Sequence, residues 1–184
     1  MLTLCEYRSR RSGGVGGFTL IEMVAVLVIV GIMSLTAAPV LSGMSSARQS
    51  AGASQMLLDI NLARQTAVAR GVRTWVVFDS ANDTYTLYAE PSGNPGKANR
   101  VVMTDPVTGS QYVTDLANGI FTGGGITGVN ISIGGAPTSE VGFDYLGRSV
   151  GADENLLQSD GTIDLAGNHQ ITILARTGYC YQSL

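Results

Sequence analysis

The sequence predicts an α+β protein: a long N-terminal helix, apolar in its first half, packed on an antiparallel β-sandwich-like head. Three observations predict it. Residues 18–41 are an apolar run of 24 in which Glu22 is the only ionisable side chain. Apolar residues then recur at helical spacing as far as Arg70. After Gly71 the period falls to two, in short stretches separated by glycine and other turn residues.

The first element is the apolar run. At about 1.5 Å per residue it makes a helix of roughly 36 Å, enough to cross a bilayer with some tilt. Its N-terminal flank, residues 1–17, carries Arg8, Arg10 and Arg11 against Glu6, and the next basic residue is Arg48. That asymmetry leaves the N-terminus cytoplasmic and sends the rest of the chain across the membrane, in a bacterium to the periplasm. An ordinary secretory signal is cut after its apolar stretch. Here the small-residue site, Gly16-Gly17, precedes the stretch, so cleavage there keeps the apolar helix and makes Phe18 the new N-terminus.

Residues 42–70 read as an amphipathic continuation of the same helix. Met44, Ala47, Ala51, Leu58 and Leu62 form one stripe, and Met56, Ile60, Ala63 and Ala67 a second, which the spacing suggests is adjacent. Together they predict a wide buried face. Gly71 stands where a left-handed cap belongs, and Arg64 and Arg70 suit the negative end of the helix dipole. Gly31 and Pro39 interrupt the apolar half, and a kink or melted turn is expected at Pro39, whose ring removes a donor and crowds the preceding turn.

Residues 71–184 read as the β-rich head. Val72–Phe78 is apolar on both faces and predicts a covered, central strand. A turn at 79–83 leads into Thr84–Ala89, which alternates with Tyr85, Leu87 and Ala89 on one side. Pro91, Gly93, Pro95 and Gly96 mark a loop before a strand over 100–104. Further strands are expected at 112–113, 120–122, 128–133, 141–145, 161–165, 170–176 and 179–181. The glycine clusters at 123–125 and 134–135 read as turns or mobile loops. They lack the lysine and the strand-to-helix context of a phosphate-binding loop.

The junction Gly16-Gly17-Phe18-Thr19-Leu20-Ile21-Glu22 resembles the type IV prepilin class, which includes pilins and the pseudopilins of type II secretion. The resemblance implies that a prepilin peptidase/N-methyltransferase cuts after Gly17 and methylates Phe18. It also implies that Glu22, at the fifth mature position, is the assembly residue. Pro39 falls at the twenty-second mature position, where many members carry proline. Within the class, Leu62-Ala63-Arg64-Gln65-Thr66-Ala67-Val68-Ala69-Arg70-Gly71 running into a strand is similar to the GspH/FimT family of minor pseudopilins and minor pilins. Phe143-Asp144-Tyr145-Leu146-Gly147-Arg148 and a final hairpin with Thr177-Gly178 at its tip are similar to the same family. That family implies a structural subunit of a type II secretion pseudopilus, which serves protein secretion across the outer membrane. Its alternative is a FimT-like minor pilin of a type IV pilus, in some members used in DNA uptake. The expected partners are the peptidase, the inner membrane and other pseudopilins or pilins in a fibre.

Glu22 carries the physical weight of that reading. A carboxylate in the hydrocarbon layer costs about 2.5–3.5 kcal/mol on insertion scales and is rarely kept without a partner. The resemblance supplies one, the methylated and still cationic amine of Phe18 on a neighbouring subunit. The competing reading is a carboxylate near the membrane edge that reaches up to the headgroups.

Composition and counts exclude other classes. His169 is the only histidine, and nothing beside it resembles a nucleophile with its base, so no enzyme and no cofactor are expected. Asp153, Glu154, Asp160 and Asp164 form an acidic stretch. An acidic loop holds calcium in the major pseudopilins, but Asp160-Gly161-Thr162-Ile163-Asp164 does not match an EF-hand, and solvated turn residues are the expectation. Cleavage separates Cys5 from Cys180, which leaves Cys180 as a buried strand residue or an intermolecular bridge. Removing residues 1–17 takes the formal charge from −3 to −5, with 8 basic and 13 acidic residues left. Residues 140–184 hold six acidic and two basic residues, and Tyr179 stands where the family's last strands often carry arginine. Phosphate neutralisation needs clustered cations, so no nucleic-acid partner is expected.

Overall fold

The computed structural model describes residues 17–183, without the side chains of 35–42. The leader up to Gly16 lies outside the described residues, and at Pro39, where a kink or melted turn is expected, the backbone is helical and the side chain is not described. The chain is α+β: helix α1, Leu20–Arg70, is followed by two antiparallel sheets. It divides into two compact units, Met1–Leu41 and Ser42–Leu184, and α1 contributes to both.

In the first unit α1 opens on a side-chain cap. Thr19 Oγ1 accepts from the Glu22 backbone N–H at 3.3 Å, while Thr19 O accepts from Glu22 and Met23 at 3.1 and 3.2 Å. Every residue from 17 to 34 is exposed. Ser34 is absorbed by the helix itself, its hydroxyl donating to Val30 O at 2.7 Å. Among the described residues no helix is long and apolar enough to cross a membrane, and the predicted span 18–41 extends past the described side chains.

The second unit is built on the other half of α1. Ala53, Met56, Ile60, Ala63 and Ala67 are buried, at alternating spacings of three and four. The other predicted stripe is not buried: Met44, Ala47, Ala51 and Leu58 are exposed and Leu62 is half-buried. At about 100° per residue, Leu58 points about 200° away from both Met56 and Ile60, so the two stripes stand nearly opposite each other, not side by side. The helix ends as expected. Gly71 has φ 65°, which only glycine adopts without a Cβ penalty, and Val72 N–H closes back on Ala67 O at 3.2 Å.

β1 (Thr74–Asp79) and β2 (Thr84–Ala89) follow as a hairpin. β3 (Val101–Val102) and β4 (Val113–Asp115) both pair with β2, while β7 (Glu140–Phe143) pairs with β1 and β8 (Ser149–Val150) with β7. The first sheet thus runs β3-β2-β1-β7-β8 with β4 also on β2, and β1 is central as its two-sided apolarity predicts. The second sheet, β11-β10-β9-β5-β6, uses β5 (Ile126–Ile133), β6 (Ala136–Thr138), β9 (Gly161–Leu165), β10 (His169–Ile173) and β11 (Cys180–Ser183). Residues of both sheets and of α1 form one core, among them Met56, Val76, Leu87, Phe143, Ile163 and Ile171.

Local chemistry explains where expectation and structure part. The strand expected at 120–122 is a 3-10 turn, Gly119–Phe121, because Asp115 Oδ1 accepts from Ala117 and Asn118 N–H and bends the chain before it can extend. The expected strand 170–176 stops at Ile173, where Leu174 N–H turns to Tyr179 O at 2.8 Å. β6 and β8 were not expected. Gly134 and Gly135, both at positive φ, form the tight turn that folds β6 back on β5, and two- or three-residue strands carry too little alternation to be read.

Candidate functional site

The sequence points to the N-terminus of α1, and the structure describes three of its residues. Gly17 and Phe18 precede the helix and are exposed, with Phe18 76% exposed. Glu22 lies in the first turn, where its charge suits the helix dipole. Thr19 is the residue that sequence reading missed: Thr19-x-x-Glu22 is the pattern of a capping box, and it sets the first helical turn immediately after Phe18. The apolar side chains that follow are exposed on all sides of the helix, which is a surface suited to lipid or to other helices rather than to water.

The head holds a second arrangement that the sequence reading missed. Asp59, 2% exposed, sits on the buried face of α1 and accepts from Tyr85 Oη at 2.6 Å, Tyr112 Oη at 2.8 Å and Gln55 Nε2 at 2.8 Å. Burial, reinforced by that carboxylate, pushes both tyrosine hydroxyls far above their ordinary range, so they are fixed donors. The signal was available: an aspartate between Met56 and Ile60 on an apolar face demands buried donors. At the helix's other flank Arg64 donates to Gly147 O at 2.8 Å and Thr177 O at 3.3 Å, joining α1 to two loops of the head. Gly178 is obligatory beside them, since a Cβ there would stand 2.3 Å from Gly147 O.

On the outer face of the first sheet Lys97 and Arg100 both pair with Glu140, Arg100 at 2.7 Å. Both cations also lie over Trp75, at 5.3 and 5.8 Å from the ring centroid. Burial pushes the Glu140 carboxyl up, and the two cations outweigh it, leaving it below the ordinary range. Asp144 behaves alike: burial raises it, and Arg148 with two backbone N–H groups brings it down.

The remaining candidates disperse. Glu154 pairs with Arg73, Asp153 with Asn155, Asp160 accepts from Ala175 N–H, and Asp164 from Asn130 and Gln170. No group of three or more His, Cys, Asp or Glu side chains placed to hold a metal occurs among the described residues. His169 is buried against Gln182 at the start of β10. Cys180 is 4% exposed, and burial pushes its thiol up to about 12, which fits the expected packed strand residue. Tyr179 and Tyr181 are exposed and stacked, with centroids 6.4 Å apart. Arg64, Arg73, Lys97, Arg100 and Arg148, five of the eight basic residues after residue 17, are bonded to protein acceptors.

No family model matches the chain, and no curated protein matches it. Solved structures do. The minor pseudopilin EpsH from the type II secretion system of Vibrio cholerae is 11% identical with a TM-score of 0.51, over 74% of this chain and 94% of that one. A second structure of EpsH is 11% identical with a TM-score of 0.48, over 74% and 96%. The type IV minor pilin FimU of Pseudomonas aeruginosa PAO1 is 11% identical with a TM-score of 0.42, over 73% and 92%. At that identity the likeness is one of architecture, and the helix followed by two antiparallel sheets has the fold of a minor pseudopilin.

Proposed function

We propose that this chain is a structural minor pseudopilin of a type II secretion pseudopilus, GspH-like, cleaved after Gly17, methylated on Phe18 and assembled through α1. The observation that carries the reading is the junction itself: Gly17-Phe18, a Thr19 cap, Glu22 in the first turn and an apolar helix exposed on all sides. A single ionisable group in such a surface needs a counter-charge, and the amine of Phe18 on a neighbour supplies it at fixed axial register. In this reading residues 18–41 anchor the chain in the inner membrane until assembly and the head stands in the periplasm. The fold supports a fibre subunit and is shared with EpsH.

Intact-mass analysis of the chain from a host with the peptidase tests the proposal. A 167-residue product bearing one added methyl group is expected, and a chain that keeps residues 1–17 there overturns it. Gel shift separates the DNA-uptake minor pilin: with a mature charge of −5 and most head cations already bonded, no salt-sensitive DNA binding is expected at low-micromolar protein.

A further inference from the structure

Where α1 gives way to β1, an open cleft of about 370 Å³ is lined by Arg70, Arg73, Glu90, Ser92, Pro95 and Tyr145. Glu90 follows β2 directly, and its backbone N–H is held by Arg73 O at 2.9 Å, so its side chain is carried on a fixed stem. It is 4% exposed, and its Oε1 is fully buried with no hydrogen-bond partner. A buried carboxylate oxygen without a donor is costly and uncommon.

Three cations near this cleft are committed elsewhere: Arg73 pairs with Glu154, and Lys97 and Arg100 share Glu140. Arg70 lines the cleft and is exposed, and it makes no bond to Glu90 Oε1. The end of α1 adds the negative pole of its dipole to the same place. Tyr145 is 55% exposed, and its ring can take a cation on its face. Leu146 beside it is 58% exposed and gives an apolar contact next to a polar cleft, the usual make-up of a protein interface. Glu90 offers one unpartnered buried oxygen, which suits a compact ammonium better than the two-pronged guanidinium.

We propose that this cleft is a docking site for a lysine side chain of a partner protein, with its ammonium paired to the Glu90 carboxylate and its stem along Tyr145. The chain is net negative with residues 1–17 (−3) or without them (−5), which favours a basic partner. The proposal does not depend on processing after Gly17 or on the role of Glu22, so either can fail without the other.

Two measurements on the full chain in detergent micelles and in its host membrane test it. The first is titration with n-butylammonium chloride against potassium chloride at matched ionic strength, followed by NMR of the Glu90 carboxyl and the Tyr145 ring. A saturable shift of both signals is expected, weakened about tenfold or more in Glu90→Gln. No saturable shift, or a Glu90 signal that responds to Arg70→Ala but not to butylammonium, overturns the site. The second is zero-length carbodiimide crosslinking in the host. Lys97 is the chain's only lysine and is bound by Glu140 and Ala152 O, so a crosslink from Glu90 to any other lysine identifies a partner protein. That crosslink is expected, and lost in Glu90→Gln. Butylammonium binding without it overturns the assignment to a protein partner.

Discussion

Tyr85 Oη donates to Asp59 Oδ2 at 2.6 Å, and both side chains are buried, so the helix and the first sheet are joined by a charge-assisted hydrogen bond inside the core. Asp59→Ala should cost about 2–4 kcal/mol, since Tyr85 and Tyr112 both lose their acceptor while buried or half-buried. Tyr85→Phe should cost less, about 1–3 kcal/mol, because Tyr112 and Gln55 still serve the carboxylate. Urea unfolding of both single variants and the double variant gives the coupling. Additivity within about 0.5 kcal/mol would mean the bond contributes nothing of its own.

Gly142 lies opposite Trp75 in the register of β1 and β7, and a Cβ there would stand 2.6 Å from Trp75 Cε3 and 2.8 Å from Val150 Cγ2. Gly142→Ala should therefore destabilise the head by about 1–3 kcal/mol, the usual cost of overpacking, by pushing the indole outward. Trp75 is the only tryptophan, so its emission is a clean readout and should shift to the red. Gly161→Ala, which meets Ile131 at 2.9 Å, should destabilise with no such shift. A red shift in both variants would tie it to general loosening and not to the contact with Trp75.

Acid should weaken the head through Glu140 and Asp144. Both carboxyls lie below their ordinary values of 4.5 and 3.8 in the folded chain. As pH falls, the unfolded chain takes up these protons first, so stability is full above those ordinary values and is lost as pH falls through the lower folded ones. Glu140→Gln should lower stability at neutral pH and flatten the slope below about 4.5. Trp75 emission should change over the same acid range, since Lys97 and Arg100 lose the carboxylate that holds them over the ring. A slope unchanged in Glu140→Gln would remove Glu140 from the account.

Much of this was legible in the sequence because it rests on local rules. The end of α1 at Arg70, the alternation of β2 and the central place of β1 follow from a cap glycine, a period of two and a two-sided apolar run. What was not legible depends on long-range partners. Asp59 between Met56 and Ile60 signals a need for buried donors, but the sequence does not say that Tyr85 and Tyr112 supply them, from 26 and 53 residues away. Leu58 has the composition of a core residue and the wrong phase, and only the packed face reveals it. Trp75 lies under Lys97 and Arg100, from a segment whose composition gives no sign of what it covers. The processing junction shows the reverse case: its signal is a local string of residues, and the fold neither adds to it nor subtracts from it.

Glu22 is where the proposed assembly can be challenged most directly. Glu22→Ala removes the one ionisable group from the exposed apolar run, so membrane insertion should be unchanged or improved, by about 2–3 kcal/mol on insertion scales. Incorporation into the fibre should fall, because the pairing with a neighbour's Phe18 amine is lost. The cap separates charge from helix structure: Glu22→Gln keeps the backbone N–H that Thr19 Oγ1 accepts and should preserve the first turn while still losing assembly. Thr19→Ala should fray that turn by about 1 kcal/mol and leave the carboxylate in place. Crosslinking to partner subunits in the host measures the outcome. Loss in Glu22→Ala and Glu22→Gln with retention in Thr19→Ala is expected, whereas equal crosslinking in all three would mean that register is set by packing alone.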